Sequence, residues 1–460
     1  MEDRTLNYLS LESRASGIHG PIISVGIMDR QDSVTGSLNG CFKYGGGSCI
    51  VSGAFKAYSD SGQIVLLGEQ GREVIRAPSL ALVDRNEATF TLFNVTIGSR
   101  FHWERTENQV FRGGLILKPR SDGKITAINE TSLENYLESV ISSEMNGAAP
   151  SEFLKAHAII SRSWLMTALN RKDAAKETTM APARKIERPE EIIRWYEQED
   201  HDLFDVCADD HCQRYQGVTK IVSGDATQSV HETSGTVLIH DGGICDARYS
   251  KACGGITEEF GTAWDIKTVP YLAGISDAAV HHPPLRTEEE ARHWILSEQK
   301  AYCNVKDAGL LMKILPDFDR ETKGFFRWTV AYSRTELEQI LKEKSGIDFG
   351  TLKEIRPLDR GPSGRIFRLM ISGSKRSIVV GKELEIRRWL SKSHLYSSAF
   401  IVTAGRNPSG EITGFVFQGA GWGHGVGLCQ IGAAAMAVKG FSAAEILRHY
   451  FPGAEIRKIY

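Results

Sequence analysis

Residues 131–145 read TSLENYLESVISSEM, and the period of the apolar residues changes inside this stretch. Thr131 and Glu134 fit a T-x-x-E capping box, which predicts the start of a helix. Leu133, Tyr136, Leu137, Val140 and Ile141 then recur at the three- and four-residue spacing of one helical face. After the loop Asn146 to Pro150, a second helix is predicted from Ser151 to about Leu169. It is apolar around most of its circumference but carries His157 and Arg162, so it belongs in the interior. Upstream, between Ile22 and Ile125, short β-type runs at Ile23–Met28, Cys49–Phe55, Gln63–Leu67, Thr89–Ile97 and Gly113–Leu117 alternate with turn residues. They predict a mostly antiparallel, β-rich domain over residues 20–125, behind a tail of residues 1–19. The fold class is therefore α+β.

Downstream, residues 171–200 are dense in mixed charges around Arg188-Pro189, the composition of a solvated loop and surface helix. Strand-like runs return from Thr236 to Tyr249. From Pro270 to about Ser397 an amphipathic helix, Arg334 to Lys344, alternates with strands such as Ile366–Ile371. The chain ends with a strand at Phe415–Phe417, a glycine-dense loop, and helical Ala433–Val438 and Ala443–Tyr450. There is no internal repeat and no low-complexity tract.

The 460 residues carry 55 Lys and Arg against 57 Asp and Glu, a formal net charge of -2. No global field draws the chain to nucleic acid or anionic lipid, and a neutral or sugar-like partner fits better than a polyanion. No run approaches the roughly 20 apolar residues of a membrane span, and Met1 to Ser16 is polar and charged, unlike a signal peptide. Secretion is not written in the chain, and the cytoplasm is a location the sequence allows. The eight cysteines are too sparse for a disulfide-built scaffold.

Three places carry chemistry. Following the apolar stripe of the first helix from Leu133 through Leu137 and Ile141 leads to Glu144, on or beside the buried face. Apolar surroundings disfavour a charged carboxyl, and a protonated glutamic acid is what protonation of a leaving oxygen requires. The alternative is a helix-end glutamate that points to solvent or pairs with Arg162. The loop GWGHGVGLCQ, residues 421–430, lacks the Lys-Ser/Thr of a P-loop and the glycine spacing of a dinucleotide fingerprint. Its glycines permit close backbone approach to a ligand, with His424 and Gln430 as hydrogen-bonding groups and Trp422 as a sugar-stacking face. A tight packing turn with a satisfied histidine is the other reading. Finally, His201, Cys207 and Cys212 are spaced H-x5-C-x4-C, with His211 as an extra candidate. Two thiolates and an imidazole suit tetrahedral zinc, with a fourth position left to water or another residue. A Cys207 to Cys212 disulfide is equally compatible with the spacing. Cys41 with Cys49 and Cys245 with Cys253 are further candidate bridges.

Four motifs occur in order: LENYLESVISSEM ending at Met145, AHAIISRSW around Arg162, HCQRYQG at 211–217 and GWGHGVGLCQIGA at 421–433. Together with Thr233-Ser-Gly235, Tyr249-Ser250 leading to Gly254-Gly255-Ile-Thr257, and the closing ILRHYFP at 446–452, they resemble the SpoIID/LytB family over roughly residues 20–460. The resemblance implies a peptidoglycan lytic transglycosylase, or elsewhere in the family a glycan-binding amidase enhancer. It implies a mixed α/β catalytic domain made of residues 126–270 and a closing segment 401–460, with residues 271–400 as an insert or subdomain. Glu144 would be the catalytic acid, and His201, Cys207 and Cys212 the ligands of one structural zinc. Arg162, Gln213, Tyr215, Tyr249, Ser250, Trp422, His424, Gly425 and Gln430 would contact substrate. The implied partners are peptidoglycan glycan strands and an N-acetylmuramoyl-L-alanine amidase, in the cell envelope or periplasm. Trp164, Cys253 and Cys429 depart from the family pattern, where tyrosine, serine or asparagine, and serine are usual.

Overall fold

A computed structural model describes residues 20–44, 50–84, 88–98, 104–176, 185–195, 201–265, 267–320 and 324–460. It is a mixed α+β protein of two compact units, one comprising residues up to 176, 200–237 and 457–460, the other 177–199 and 238–456.

The first unit is built on one sheet. Its strands are β1 (Ile22–Gln31), β2 (Ser33–Tyr44), β3 (Ile50–Asp60), β4 (Gln63–Leu67), β5 (Glu73–Ala77), β6 (Leu80–Asp84), β7 (Thr89–Ile97), β8 (Arg105–Arg112), β9 (Gly114–Pro119) and β10 (Ile125–Ser132), joined by the short strand Val206–Cys207. The order is Val206–Cys207, β1, β10, β9, β6, β2, β3, β4, β5, with β7 bridging β2 to β8. All pairings are antiparallel except that of Val206–Cys207, which runs parallel to β1 through Val25 and Gly26. The alternation of β7, with Phe90, Leu92, Val95 and Ile97 buried, is that of a strand with one face in the core. β10 is different, since seven of its eight residues are buried. Its polar Asn129 is accommodated because the side-chain amide donates to the carbonyls of Arg112 at 2.9 Å and Gly114 at 3.0 Å.

β10 runs directly into α1 (Leu133–Glu144). The N-cap is Ser132, whose hydroxyl accepts from the Asn135 amide at 3.2 Å, so the expected Thr131–Glu134 box does not form. Thr131 still pairs with Ile23 in the sheet, and the Glu134 carboxylate is taken by Arg162. Every residue of α1 except Asn135 is buried, whatever its side of the helix. α2 (Ser151–Lys176) is the predicted interior helix, extended by two turns. Its hydroxyls bond back to their own helix, as Ser163 does to the Ile159 carbonyl at 2.7 Å, so burial leaves them satisfied. Among the described residues no helix is long and apolar enough to cross a membrane.

The second unit contains a five-stranded sheet ordered Lys185–Arg188, Glu191–Arg194, Ser377–Gly381, Ile366–Gly373, Leu352–Arg360 and a three-stranded one ordered Arg327–Ser333, Ile412–Ala420, Phe400–Arg406. Residues 185–194 therefore form a hairpin, where a solvated loop and surface helix were expected. Arg188 and Glu191 close its turn, Ile193 is buried, and Ile192 packs against the unit's hydrophobic core. That core gathers Trp328, Trp389, Phe400, Phe415 and Phe417 with Leu337 and Leu341 of the helix Arg334–Ser345. A two-residue parallel pair, Tyr249–Ser250 with Leu428–Cys429, anchors the end of the glycine loop.

Candidate functional site

In the first unit, Glu144 closes α1 and is 8% exposed. Its burial follows from the central position of the whole helix rather than from an apolar stripe. Oε1 accepts the backbone N–H of Arg214 at 3.0 Å. The segment 213–218 that supplies this amide is fastened to Glu144's own helix and to β8. The Gln216 amide donates to Ser139 Oγ of α1 at 3.1 Å, and the Val218 amide to the Val110 carbonyl of β8 at 2.8 Å. Tyr215 is buried, stacks on Tyr136 of α1 with ring centroids 5.0 Å apart, and donates to Asn129 Oδ1 at 2.5 Å. Burial pushes its phenol well above the ordinary range. Gly217 has φ +58°, and a Cβ there would lie 2.1 Å from the Val110 carbonyl oxygen, so only glycine lets the strand come this close. Gln213 is buried, its amide nitrogen 3.4 Å from the Ser161 carbonyl and its Oε1 without a hydrogen-bond partner among the described residues.

Just upstream, ligand atoms of His201, Cys207, His211 and Cys212 all lie within 4.8 Å of one another. Cys212 Sγ is 3.4 Å from His201 Nε2 and 3.4 Å from His211 Nδ1, and Cys207 Sγ is 3.8 Å from His211 Nδ1. The S···N edge of a tetrahedral zinc site is about 3.6 Å, given Zn–S near 2.3 Å and Zn–N near 2.05 Å. The donor set therefore fits a closed Cys2His2 site, with His211 in the position the sequence left open. Both cysteines are free thiols, not a disulfide. The Cys212 thiol, and then the two imidazoles, hold the Cys207 thiol well below its ordinary range, as a metal ligand requires. The pairing of Val206–Cys207 with β1 sets the cluster at the sheet edge, where Phe204 packs on Gly26 and against His201.

Two further carboxyls were not foreseen. Asp210 takes the Arg214 guanidinium on Oδ1, while its Oδ2 is buried without a hydrogen-bond partner among the described residues. Burial raises it to about 7. In the second unit Glu258, fully buried, accepts Ser363 Oγ at 2.6 Å, the Glu259 amide at 2.8 Å and Thr262 Oγ1 at 3.0 Å. Burial raises it to about 7 as well. Neither lies in a periodic pattern that sequence could expose.

Arg162 does not face Glu144. It is fully buried and forks onto Glu134 at the opposite end of α1, with Nε–Oε1 2.9 Å and Nη2–Oε2 2.6 Å, while Nη1 donates to the Thr236 carbonyl at 2.9 Å. Ten residues of helix separate Glu134 from Glu144, about 15 Å.

The remaining candidates belong to the second unit. Trp422 stacks on Tyr396 with centroids 4.3 Å apart and packs against Phe325 at 5.0 Å, so one ring face is already covered by protein. His424 Nδ1 accepts the Val426 amide at 3.0 Å and its ring packs against Trp264. Burial, then the Arg248 and Arg365 guanidiniums, hold the ring neutral. Gly425, at φ +77°, leaves room for buried Arg365, whose guanidinium carbon would be 2.4 Å from a Cβ there. Gln430 starts the helix Gln430–Val438 and is buried, as is Ser250, and Tyr249 is partly exposed. Cys245 and Cys253 are both free thiols, so their expected bridge is not formed. Cys49 lies outside the described residues.

Comparison with known proteins bears on two segments. Residues 121–240 match the Stage II sporulation protein family, SpoIID, and residues 258–427 match a domain of unknown function, DUF8618. The chain is 25% identical over 353 residues to an uncharacterized protein of Brachyspira hyodysenteriae, an alignment covering 75% of this chain and 72% of that one. It is 24% identical over 246 residues to an amidase enhancer of Bacillus subtilis, covering 51% of this chain but 33% of the relative. It is 21% identical over 331 residues to stage II sporulation protein D of Bacillus amyloliquefaciens, covering 72% of this chain and 75% of the relative.

Proposed function

We propose that the chain, whose residues 121–240 match the SpoIID family, works on the bacterial cell wall as a lytic transglycosylase, cleaving peptidoglycan glycan strands with Glu144 as acid and base. The observation that carries this reading is the setting of Glu144: a carboxyl at the end of a fully packed helix, accepting a backbone amide from a segment bonded to that helix and to β8. In the reaction, Glu144 gives its proton to the oxygen between N-acetylmuramic acid and N-acetylglucosamine as the bond to the anomeric carbon breaks. The sugar's 6-hydroxyl then closes on that carbon and returns its proton to Glu144, leaving a 1,6-anhydro end. One carboxyl suffices because no water is activated. The Arg214 amide fixes the Glu144 carboxyl through Oε1. Gln213, whose buried Oε1 has no hydrogen-bond partner among the described residues, is a substrate-binding candidate in the same segment. Zinc, when bound by His201, Cys207, His211 and Cys212, supplies cross-links rather than Lewis acidity, because four protein donors close its shell.

A second reading, a glycan-binding protein that stimulates an N-acetylmuramoyl-L-alanine amidase, follows from the name of one relative. Purified glycan strands digested with wild type and with Glu144→Gln, and analysed by mass spectrometry, separate the two. Anhydro ends are expected from wild type, with the variant slower by about 10²- to 10⁴-fold. An amidase enhancer would stimulate its amidase equally well with either protein. Wild type that yields no anhydro ends from peptide-bearing or peptide-free strands refutes the transglycosylase.

A further inference from the structure

Cys253, Asp277, Cys303 and Cys429 come from four separate loops and strand ends of the second unit, yet their ligand atoms all lie within 4.8 Å of one another, and all four residues are buried. The Sγ atoms of Cys253 and Cys303 are 3.7 Å apart. A disulfide would require about 2.05 Å. The S···S edge of a tetrahedral zinc–thiolate site is about 3.8 Å, for Zn–S bonds of about 2.3 Å. We propose that these four side chains form a second metal centre, a Cys3Asp site for zinc.

The surroundings are those of a ligand shell. The Cys253 amide donates to Cys429 Sγ at 3.2 Å and the Gly255 amide to Cys253 Sγ at 3.4 Å. Both carboxylate oxygens of Asp277 are oriented from outside, Oδ1 by the Tyr450 hydroxyl at 2.6 Å and Oδ2 by the Cys303 amide at 2.9 Å. Amides aimed at sulfurs and a hydrogen-bonded carboxylate are how proteins fix metal ligands, and each acceptor keeps a lone pair for the ion. Soft sulfur donors with one oxygen, in four-coordinate geometry, select zinc over magnesium or calcium. The ion would tie the foot of the glycine loop, through Cys429, to the loops carrying Cys253, Asp277 and Cys303.

The test is made in the full chain carrying Cys207→Ser and Cys212→Ser, which removes the other cluster. After dialysis in metal-free buffer, elemental analysis should find one zinc per chain. Cobalt substitution should give the sulfur-to-metal charge-transfer band and d–d bands of a tetrahedral thiolate site. Adding Cys303→Ser should abolish both, and adding Asp277→Asn should weaken metal retention at least tenfold. Should Cys303→Ser not fold, alkylation of the folded parent variant read by mass spectrometry decides. Cys253, Cys303 and Cys429 should be protected together and become reactive together when a chelator is added. Absence of bound metal, a disulfide among the three cysteines, iron in place of zinc, or metal retained undiminished in both added variants overturns the proposal.

Discussion

The fork between Arg162 and Glu134 is the sharpest place to separate a structural from a substrate-contacting arginine. Arg162 is 0% exposed and Glu134 5%, and the two bonds of 2.9 and 2.6 Å satisfy the guanidinium together with the Thr236 carbonyl. Glu134 Oε1 also accepts the Tyr460 hydroxyl at 2.6 Å and the Gly235 amide at 3.3 Å. Removing one partner of such a pair leaves an uncompensated buried charge, at a cost of about 3–5 kcal/mol. Arg162→Leu and Glu134→Leu should each lose that much by urea titration. In a domain of 150–250 residues this lowers the melting temperature by roughly 6–20 °C, at about 2–4 °C per kcal/mol. The double variant buries no charge and leaves only neutral groups at Gly235, Thr236 and Tyr460 short of partners. It should be no less stable than the worse single variant, a coupling of about 3 kcal/mol. Glycan cleavage per folded molecule should stay within a few-fold of wild type. Additive single losses, or Arg162→Leu retaining full stability while losing activity, would refute the reasoning and return Arg162 to the substrate.

Leu137 is fully buried in α1, and Leu137→Ala should cost about 2–5 kcal/mol in the same titration, as expected for a core cavity. Gly217→Ala must relieve a 2.1 Å approach to the Val110 carbonyl at positive φ, so it should shift the segment that holds Glu144 and lower kcat for glycan cleavage more than it raises KM. Glu258, raised from 4.5 to about 7 by burial, favours folding in its neutral form. Stability from this group is complete below pH about 4.5 and is lost as pH rises through about 7, a decline of about 3 kcal/mol that Glu258→Gln should flatten. His211→Ala removes one of four converging donors and should lower zinc retention by the Cys207 cluster at least tenfold, measured by competition with a chelator.

Where a segment carried its own signal, sequence located it closely. Gln63–Leu67, Thr89–Ile97 and Ala443–Tyr450 have the predicted bounds, and the helix from Arg334 runs one residue longer. Thr89–Ile97 alternates, Gln63–Leu67 is a short continuous apolar run, and the two helices have helical apolar spacing and are capped by Ser333 and Ser442, the latter in a full capping box. The strands that escaped notice depend on partners. Arg105–Arg112 reads RTENQVFR, mostly polar, and is a strand because it pairs with β7. Ile125–Ser132 has no alternation because both its faces are covered, and its Asn129 is tolerated only through bonds to Arg112 and Gly114. The misplaced cap has the same origin. Thr131 and Ser132 are equally good caps locally, and the register of β10 on β1 decides that the strand continues through Thr131.

At the candidate site, the side-chain types were legible in the sequence and their placement was not. Glu144, His201, Cys207 and Cys212 are conspicuous as residues. His211 was visible as a donor, but whether it or water completes a tetrahedron depends on a turn that brings Nδ1 within 3.4 Å of Cys212 Sγ. What orients Glu144 is the main-chain N–H of Arg214, a group that every residue but proline possesses and no sequence pattern marks. Cys253 and Cys429 stood out as departures from a family pattern, yet nothing local linked them to each other or to Asp277 and Cys303. Their convergence is a property of tertiary structure alone. In both clusters the residues that bind chemistry are separated from the residues that aim it. The candidate acid is held by an amide two residues beyond Cys212, so loosening the Cys207 cluster should act on Glu144 through that amide.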